Sequence, residues 1–222
     1  MVNLFSVFDP SSSLITNWTS LILVTLLLPQ TFWVMGSKAS SILSMVCSKL
    51  HSEFKILVNQ DLTPGLTKIF IAMLLLIATN NAMGLLPYTF TATSHLAPSM
   101  AMSLPLWLGL MLYGWFNHTK HMLAHLVPQS TPPVLMPFMV VIETVSNLIR
   151  PLTLAVRLTA NMIAGHLIMT LLGNQMADNS MIMSGFVLLV TQVTLLILES
   201  AVALIQSYVF TVLACLYSSE VN

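Results

Sequence analysis

The fold is decided by residues 133–173, PVLMPFMVVIETVSNLIRPLTLAVRLTANMIAGHLIMTLLG, an apolar tract far longer than an upright membrane span. As one helix it would run roughly 60 Å, whereas the hydrocarbon core of a bilayer is about 30 Å thick. The tract must therefore tilt steeply, by about 60° if it is straight, or break. Pro151 offers a kink because it cannot donate to the helix ladder.

A second apolar tract, residues 179–217, has the same length problem and contains no proline. The short segment GNQMADNS, residues 173–180, joins the two tracts. We therefore expect an antiparallel hairpin of two long, strongly tilted helices, and an all-α integral membrane protein around it.

The composition supports a membrane protein. Of the 222 residues, 56% are hydrophobic and 6% are charged, whereas a soluble domain carries about a quarter charged residues. The net charge of zero leaves no basic patch of the kind that nucleic-acid binding requires. Cys47 and Cys215 both lie in apolar surroundings and do not have the spacing of a metal or redox site.

Outside the hairpin, three apolar segments are candidate spans, at residues 14–35, 66–86 and 101–116. With the hairpin they give about five membrane helices in a single membrane domain, residues 1–222. Residues 37–60 repeat apolar side chains every three or four positions among lysines and serines, which predicts an amphipathic helix on the inner membrane surface. The first segment is too long for a signal-peptide core and no Arg-rich transit peptide precedes it, so we expect a retained span.

The lysines set the predicted orientation. All five lie in or beside the connectors 36–65 and 117–132: Lys38, Lys49, Lys55, Lys68 and Lys120. The connectors 87–100 and 173–180 contain neither lysine nor arginine. By the positive-inside rule, the N-terminus is expected outside, and five crossings place the C-terminus inside.

Three histidines recur within a second short amphipathic segment, residues 118–126. His118, His121 and His125 have spacings of three and four residues, which would bring them near one helix face. No carboxylate or cysteine lies nearby to complete a metal site. We favour contact with lipid headgroups, and we predict no metal and no cofactor.

Charged and amide side chains form one polar stripe on each long tract, where charge is costly and marks function. The stripes are Glu143, Asn147, Arg150, Arg157 and Asn161 on the first tract, and Gln192, Glu199 and Gln206 on the second. Their recurring spacing of seven residues returns to nearly the same helix face.

Two interpretations of these stripes are open. They could satisfy each other, with Arg150 pairing to Glu143 or Glu199 and Gln206 pairing to Arg157. Arg157 argues against this, because it lies far from either end of its tract and no acid stands three or four residues away. Its partner must then come from another segment or another chain.

The residues around Arg157 favour an external partner. Ala160, Ala164 and Gly165 would let another helix approach closely, which predicts a helix that carries a carboxylate and slides past the arginine. His166 lies nine residues after Arg157, about 180° around the helix. It is either a satisfied polar group or, with Glu199 across the hairpin, an acid–imidazole proton relay.

Residues 147–167, NLIRPLTLAVRLTANMIAGHL, resemble the signature of the ATP synthase subunit a family in its mitochondrially encoded form. The segments LVPQSTPPVLMPFMVVIET and LILESAVALIQSYVFTVL are also similar to this family, as are the chain length and the terminal hairpin. The resemblance implies a non-catalytic stator subunit of the inner mitochondrial membrane, with its N-terminus in the intermembrane space and its C-terminus in the matrix. It implies as partners the ring of c subunits, a peripheral-stalk b-type subunit, small membrane subunits and a dimeric assembly.

The resemblance also implies roles for particular residues. Arg157 matches the arginine that faces the ring carboxylates and separates two offset half-channels. The outer half-channel positions match His166 and Glu199, and the inner acidic position matches Glu143. The polar residues beside the arginine match Asn161 and Gln206. The acid and histidine of the outer pair are exchanged relative to bacterial members, and Arg150 stands where a neutral residue is common.

Other membrane functions fit less well. A self-contained transporter should show an inverted repeat with paired broken helices, and none is visible. A haem-binding subunit usually needs paired intramembrane histidines, and only His166 lies within a predicted span. A purely structural anchor would have little use for a buried Arg157. The chain also carries no phosphate-binding loop.

Overall fold

The computed structural model describes residues 4–12, 14–26, 28–29, 36–58, 65–86, 89–127, 132, 135–178 and 182–221. These residues form seven α-helices and no strand, which confirms the all-α prediction. The helices are α1 (Leu14–Leu26), α2 (Lys38–Leu57), α3 (Leu66–Gly84), α4 (Leu96–Asn117), α5 (Thr119–His125), α6 (Met136–Asp178) and α7 (Ile182–Val221). Short 3₁₀ helices lie at Leu4–Phe8, Pro10–Ser12 and Ala92–Ser94.

Four of the described helices, α3, α4, α6 and α7, are long and apolar enough to cross a membrane. Helix α1 has 13 residues, which is fewer than a span requires. Most of the rest of the predicted first span, residues 27 and 30–35, lies outside the described residues. The fifth crossing and the single membrane domain therefore stay predictions.

Three helices, α4, α6 and α7, extend beyond the apolar segments predicted as spans. Helix α4 begins at Leu96 rather than at residue 101, and Pro98 lies in its first turn, where the missing N–H would have had no helical partner anyway. Helix α6 continues past Gly173 to Asp178, so most of the predicted turn is helical. One glycine costs a helix about 1 kcal/mol relative to alanine, which is too little to end a helix of this length.

The long hairpin is present. Helix α6 has 43 residues and runs without a break through Pro151, while α7 has 40 residues. At about 1.5 Å per residue each is roughly 60 Å long. The two helices are antiparallel, because residues later in α6 contact residues earlier in α7: Arg150 with Glu220, Asn161 with Gln206, and His166 with Glu199.

Helices α2, α3 and α4 pack against this hairpin. In one buried cluster Phe54 of α2 and Phe70 of α3 meet Ala214 and Cys215 of α7. In a second, Ile77 of α3 packs with Leu154 and Leu158 of α6 and Phe210 of α7. The buried positions of α6 recur every three or four residues, at Pro151, Leu154, Leu158 and Met162. The opposite face of α6 is therefore left exposed, and that face carries Arg157.

Candidate functional site

Arg157 lies on the exposed face of α6, near the middle of the helix. None of the ion pairs between described residues includes it. Val156 and Ala160 beside it and Ala164 two turns later are exposed as well. The result is a permanent positive charge on a surface of small and apolar side chains that nothing in the described chain covers.

Asn161 stands one turn after Arg157 and links the two long helices. Its Nδ2 donates a hydrogen bond of 2.9 Å to Oε1 of Gln206. Gln206 is buried, with 6% of its surface exposed. The alternative pairing of Gln206 with Arg157 is not the one that forms, because Oε1 of Gln206 accepts from the side-chain amide of Asn161. This bond fixes the polar groups beside the arginine.

His166 and Glu199 meet across the hairpin, as the sequence suggested. His166 Nε2 lies 3.8 Å from Glu199 Oε1, and neither Nε2 nor the carboxylate oxygens have a hydrogen-bond partner within the described chain. Glu199 lies directly against Gly165, where a Cβ would be 2.5 Å from Oε1 and 3.1 Å from Cγ. The missing side chain of Gly165 thus leaves space for Glu199, whereas the sequence predicted that it would leave space for a helix of another chain.

A cavity of about 700 Å³ with many polar residues in its lining opens beside His166. We call it the outer cavity, because the family resemblance predicts that His166 belongs to the outer half-channel. Its lining includes Ser6, Asp9, Asn17, Thr89, Thr91, His166, Thr170 and Gln192. A second space of about 230 Å³, the hairpin groove, is lined by Asn161, Ala164, Gly165, Ile168, Glu199 and Val202, among others. His166 lines the cavity and Glu199 lines the groove, so the pair stands at the boundary between them.

Arg150 is the centre of an ion cluster at the other end of the hairpin. It pairs with Glu220 of α7 and lies 3.7 Å from Glu143 Oε1 on its own helix. Its guanidinium carbon also stands 5.0 Å from the centre of the Tyr217 ring, within cation–π range. Of the two partners considered for Arg150 if the stripes satisfied each other, Glu143 lies beside it, whereas Glu199 lies far along the hairpin beside His166.

A cavity of about 220 Å³, the inner cavity, adjoins this cluster. Its lining includes Trp107, Trp115, His125, Thr144, Asn147, Arg150, Tyr217 and Glu220. The outer and inner cavities therefore lie towards opposite ends of α6, and Arg157 lies between them along the helix. Arg150 and His166 are about 10 Å and about 14 Å from it by the helical rise.

Comparison with known proteins decides the family. The model of the family described as "ATP synthase A chain" matches residues 11–219. The chain belongs to that family. Among its relatives, ATP synthase subunit a of Anopheles gambiae is 59% identical over 227 residues and that of Drosophila mauritiana is 59% identical over 224 residues. ATP synthase subunit a of Aedes aegypti is 57% identical, and all three matches cover 100% of both chains.

Several residues at the sites of this subunit a family member were not singled out from the sequence. Asp9 and Glu220 lie outside the apolar tracts, and charged residues were selected from the sequence only within those tracts. Asn81 lies inside α3, fully buried, and its Nδ2 is 3.5 Å from the carbonyl oxygen of Ala203. Intramembrane position alone could have marked Asn81, since polar side chains within spans are costly.

The histidine segment of this family member forms α5. The rings of His121 and His125 are 6.4 Å apart. Within the described ranges no group of three or more His, Cys, Asp or Glu side chains could hold a metal ion.

Proposed function

We propose that this chain is the proton-translocating stator subunit of an F-type ATP synthase. The observation that carries the proposal is Arg157, which is exposed, has no ion-pair partner in the described chain, and lies on α6 between two separate cavities. A cation in a membrane segment needs a counter-charge. A carboxylate on a neighbouring c-ring helix would supply it.

The outer half-channel starts at the outer cavity and ends at the hairpin groove. A proton reaches His166 from the cavity, passes to Glu199, and leaves through the groove towards the exposed face of α6. The 3.8 Å separation of the two side chains exceeds hydrogen-bond length. A small side-chain movement or one bridging water therefore completes the transfer.

The inner half-channel lies at the opposite end of the hairpin. Its acid is Glu143, and Asn147, one turn later on α6, stands at the wall of the inner cavity. A proton released by a ring carboxylate on the inner side would leave past these groups. The two half-channels are offset along α6, so a proton crosses the membrane only by riding on the ring.

Arg157 enforces that route. Its guanidinium carries a fixed positive charge, so it repels protons from the direct path between the half-channels. It also attracts each ionised ring carboxylate in turn. Asn161, held by Gln206, supplies amide polarity on the same stripe. Each proton contributes roughly 2.3 kcal/mol per 100 mV of membrane potential, which ring rotation collects for ATP synthesis.

The setting follows the same proposal. The chain lies in the mitochondrial inner membrane, with its N-terminus in the intermembrane space and its C-terminus in the matrix. The exposed face of α6 around Arg157 meets the c-ring, and a peripheral-stalk b-type subunit with small membrane subunits covers other faces in a dimeric complex. The subunit itself catalyses no covalent step.

ATP-driven proton pumping by reconstituted complexes tests the proposal, with assembly checked on a native gel. Arg157→Ala should assemble and lose pumping. Arg150→Gln is the matched control, because Arg150 is the same residue type on the same helix but is paired with Glu143 and Glu220. It should retain pumping. Normal pumping by Arg157→Ala, or an equal loss of pumping in both variants, would contradict the proposal.

A further inference from the structure

The first described residues of the chain fold over the His166 site. The 3₁₀ helix Leu4–Phe8 contacts α6, and the ring of Phe8 meets that of His166 edge-on, with centroids 6.3 Å apart and planes at 77°. Ser6 and Asp9 line the outer cavity together with His166 and Gln192. The N-terminal segment is thus one wall of that cavity, and no motif in the sequence indicated it.

Asp9 is the one carboxylate among the described residues that line the outer cavity. Its side chain is exposed, and its Oδ1 accepts a hydrogen bond of 3.0 Å from the backbone N–H of Ser11. This backbone bond and a second from the Ser11 side chain lower the pKa of Asp9. Asp9 is therefore an anion at neutral pH, in contact with both bulk water and the cavity.

Local contacts hold Asp9 in place. Pro10 follows it and restricts its backbone to extended conformations. The side-chain Nδ2 of Asn17 in α1 donates to the carbonyl oxygen of Pro10 at 3.5 Å. The segment is therefore fastened to α1 on one side and to His166 on the other, and the carboxylate stays at the cavity wall.

We propose that Asp9 is the proton-collecting carboxylate at the mouth of the outer cavity, and that residues 4–12 position it there. The inference rests on the proposed function, since it names the group that supplies the His166–Glu199 pair. An anion on a cavity wall attracts protons from the bulk and raises their local concentration. It accepts a proton on its carboxylate and releases it to cavity water leading to His166, so no other co-reactant is needed.

The test compares proton uptake from the N-terminal side by complexes in vesicles, at low and at high concentrations of a mobile buffer such as phosphate. Asp9→Asn should slow potential-driven uptake by up to about tenfold at low buffer and approach the wild-type rate at high buffer, where diffusing buffer replaces the collector. Asp9→Glu should restore the low-buffer rate. Glu53→Gln controls for the loss of an acidic charge, because Glu53 is an exposed acid on α2, predicted on the opposite membrane surface and outside every described cavity; it should leave the rate unchanged.

Two outcomes would overturn the inference. Equal rates for Asp9→Asn and wild type at low buffer would show that Asp9 collects no protons. A loss that is the same at every buffer concentration would assign Asp9 a structural role instead. Arg157→Ala in the same vesicles separates this inference from the proposed function: if it abolishes coupled pumping while Asp9→Asn has no effect, only the Asp9 inference fails.

Discussion

Replacing Gly165 by alanine should slow proton transfer through the outer half-channel without preventing folding. The added Cβ would lie 2.5 Å from Oε1, 2.7 Å from Cδ and 3.1 Å from Cγ of Glu199. Contacts this short force the carboxylate to move, and Glu199 has little room because its side chain is 7% exposed. The displacement would alter its approach to His166.

The size of the effect follows from the overlap. Overpacking a tight contact costs about 1–3 kcal/mol. If all of that appears in the barrier to proton transfer, the rate falls by between about fivefold and about 160-fold. The assay is potential-driven proton conductance of assembled complexes, with thermal stability in detergent measured on the same samples.

Gly173→Ala is the control for this substitution. Gly173 lies in the same helix, but a Cβ there would meet nothing within 4 Å. Both changes raise helix propensity equally. Any difference in conductance or stability between the two variants therefore comes from the contact between the added Cβ at residue 165 and Glu199. Shortening the acid in the double variant Gly165→Ala/Glu199→Asp should recover part of the stability lost in Gly165→Ala, a non-additive result. Equal conductance and stability for Gly165→Ala and Gly173→Ala would refute the reasoning.

Three further predictions concern other contacts. Asn161→Leu and Gln206→Leu should each destabilise the complex in detergent by roughly 1 kcal/mol, as measured by thermal melting. The double variant should lose less stability than the sum of the two single losses, and additive losses would contradict the 2.9 Å hydrogen bond. Arg150→Gln should lower stability by about 1 kcal/mol or less, since its ion pairs are partly exposed, and unchanged melting at low and high salt would argue against the cluster. Ser11→Ala should raise the pKa of Asp9 towards its ordinary value, because the hydrogen bond from the Ser11 side chain is lost while the backbone bond remains. Infrared titration of the Asp9 carboxyl band would measure the pKa, and an unchanged pKa would contradict the side-chain bond.

The hairpin could be predicted because its cause is visible in the sequence. Two apolar tracts much longer than a bilayer is thick, joined by a short segment, allow few other arrangements. The ends of the helices were harder to place, because Pro98 is tolerated in a first turn and Gly173 is tolerated within a long helix. Helical periodicity says which residues share a face, but it carries little information on where a helix stops.

The site was predictable to the extent that spacing determines it. Helical spacing placed Arg157 and Asn161, four residues apart, on one face, and the hairpin brought His166 to Glu199. The exact partners of the polar groups depend on the offset between α6 and α7, which no local pattern specifies. Because of that offset, Gln206 pairs with Asn161 and Glu220 pairs with Arg150. The fold of residues 4–12 over His166 depends on tertiary contacts, so Asp9 could not be found from the sequence.

The most direct test of the central claim is the passive proton conductance of vesicles that contain assembled Arg157→Ala complexes, driven by an imposed membrane potential. The account predicts that conductance rises above that of wild-type complexes while ATP synthesis is lost, because removing the fixed charge joins the two half-channels. Wild-type conductance with ATP synthesis retained would contradict the claim that Arg157 separates them.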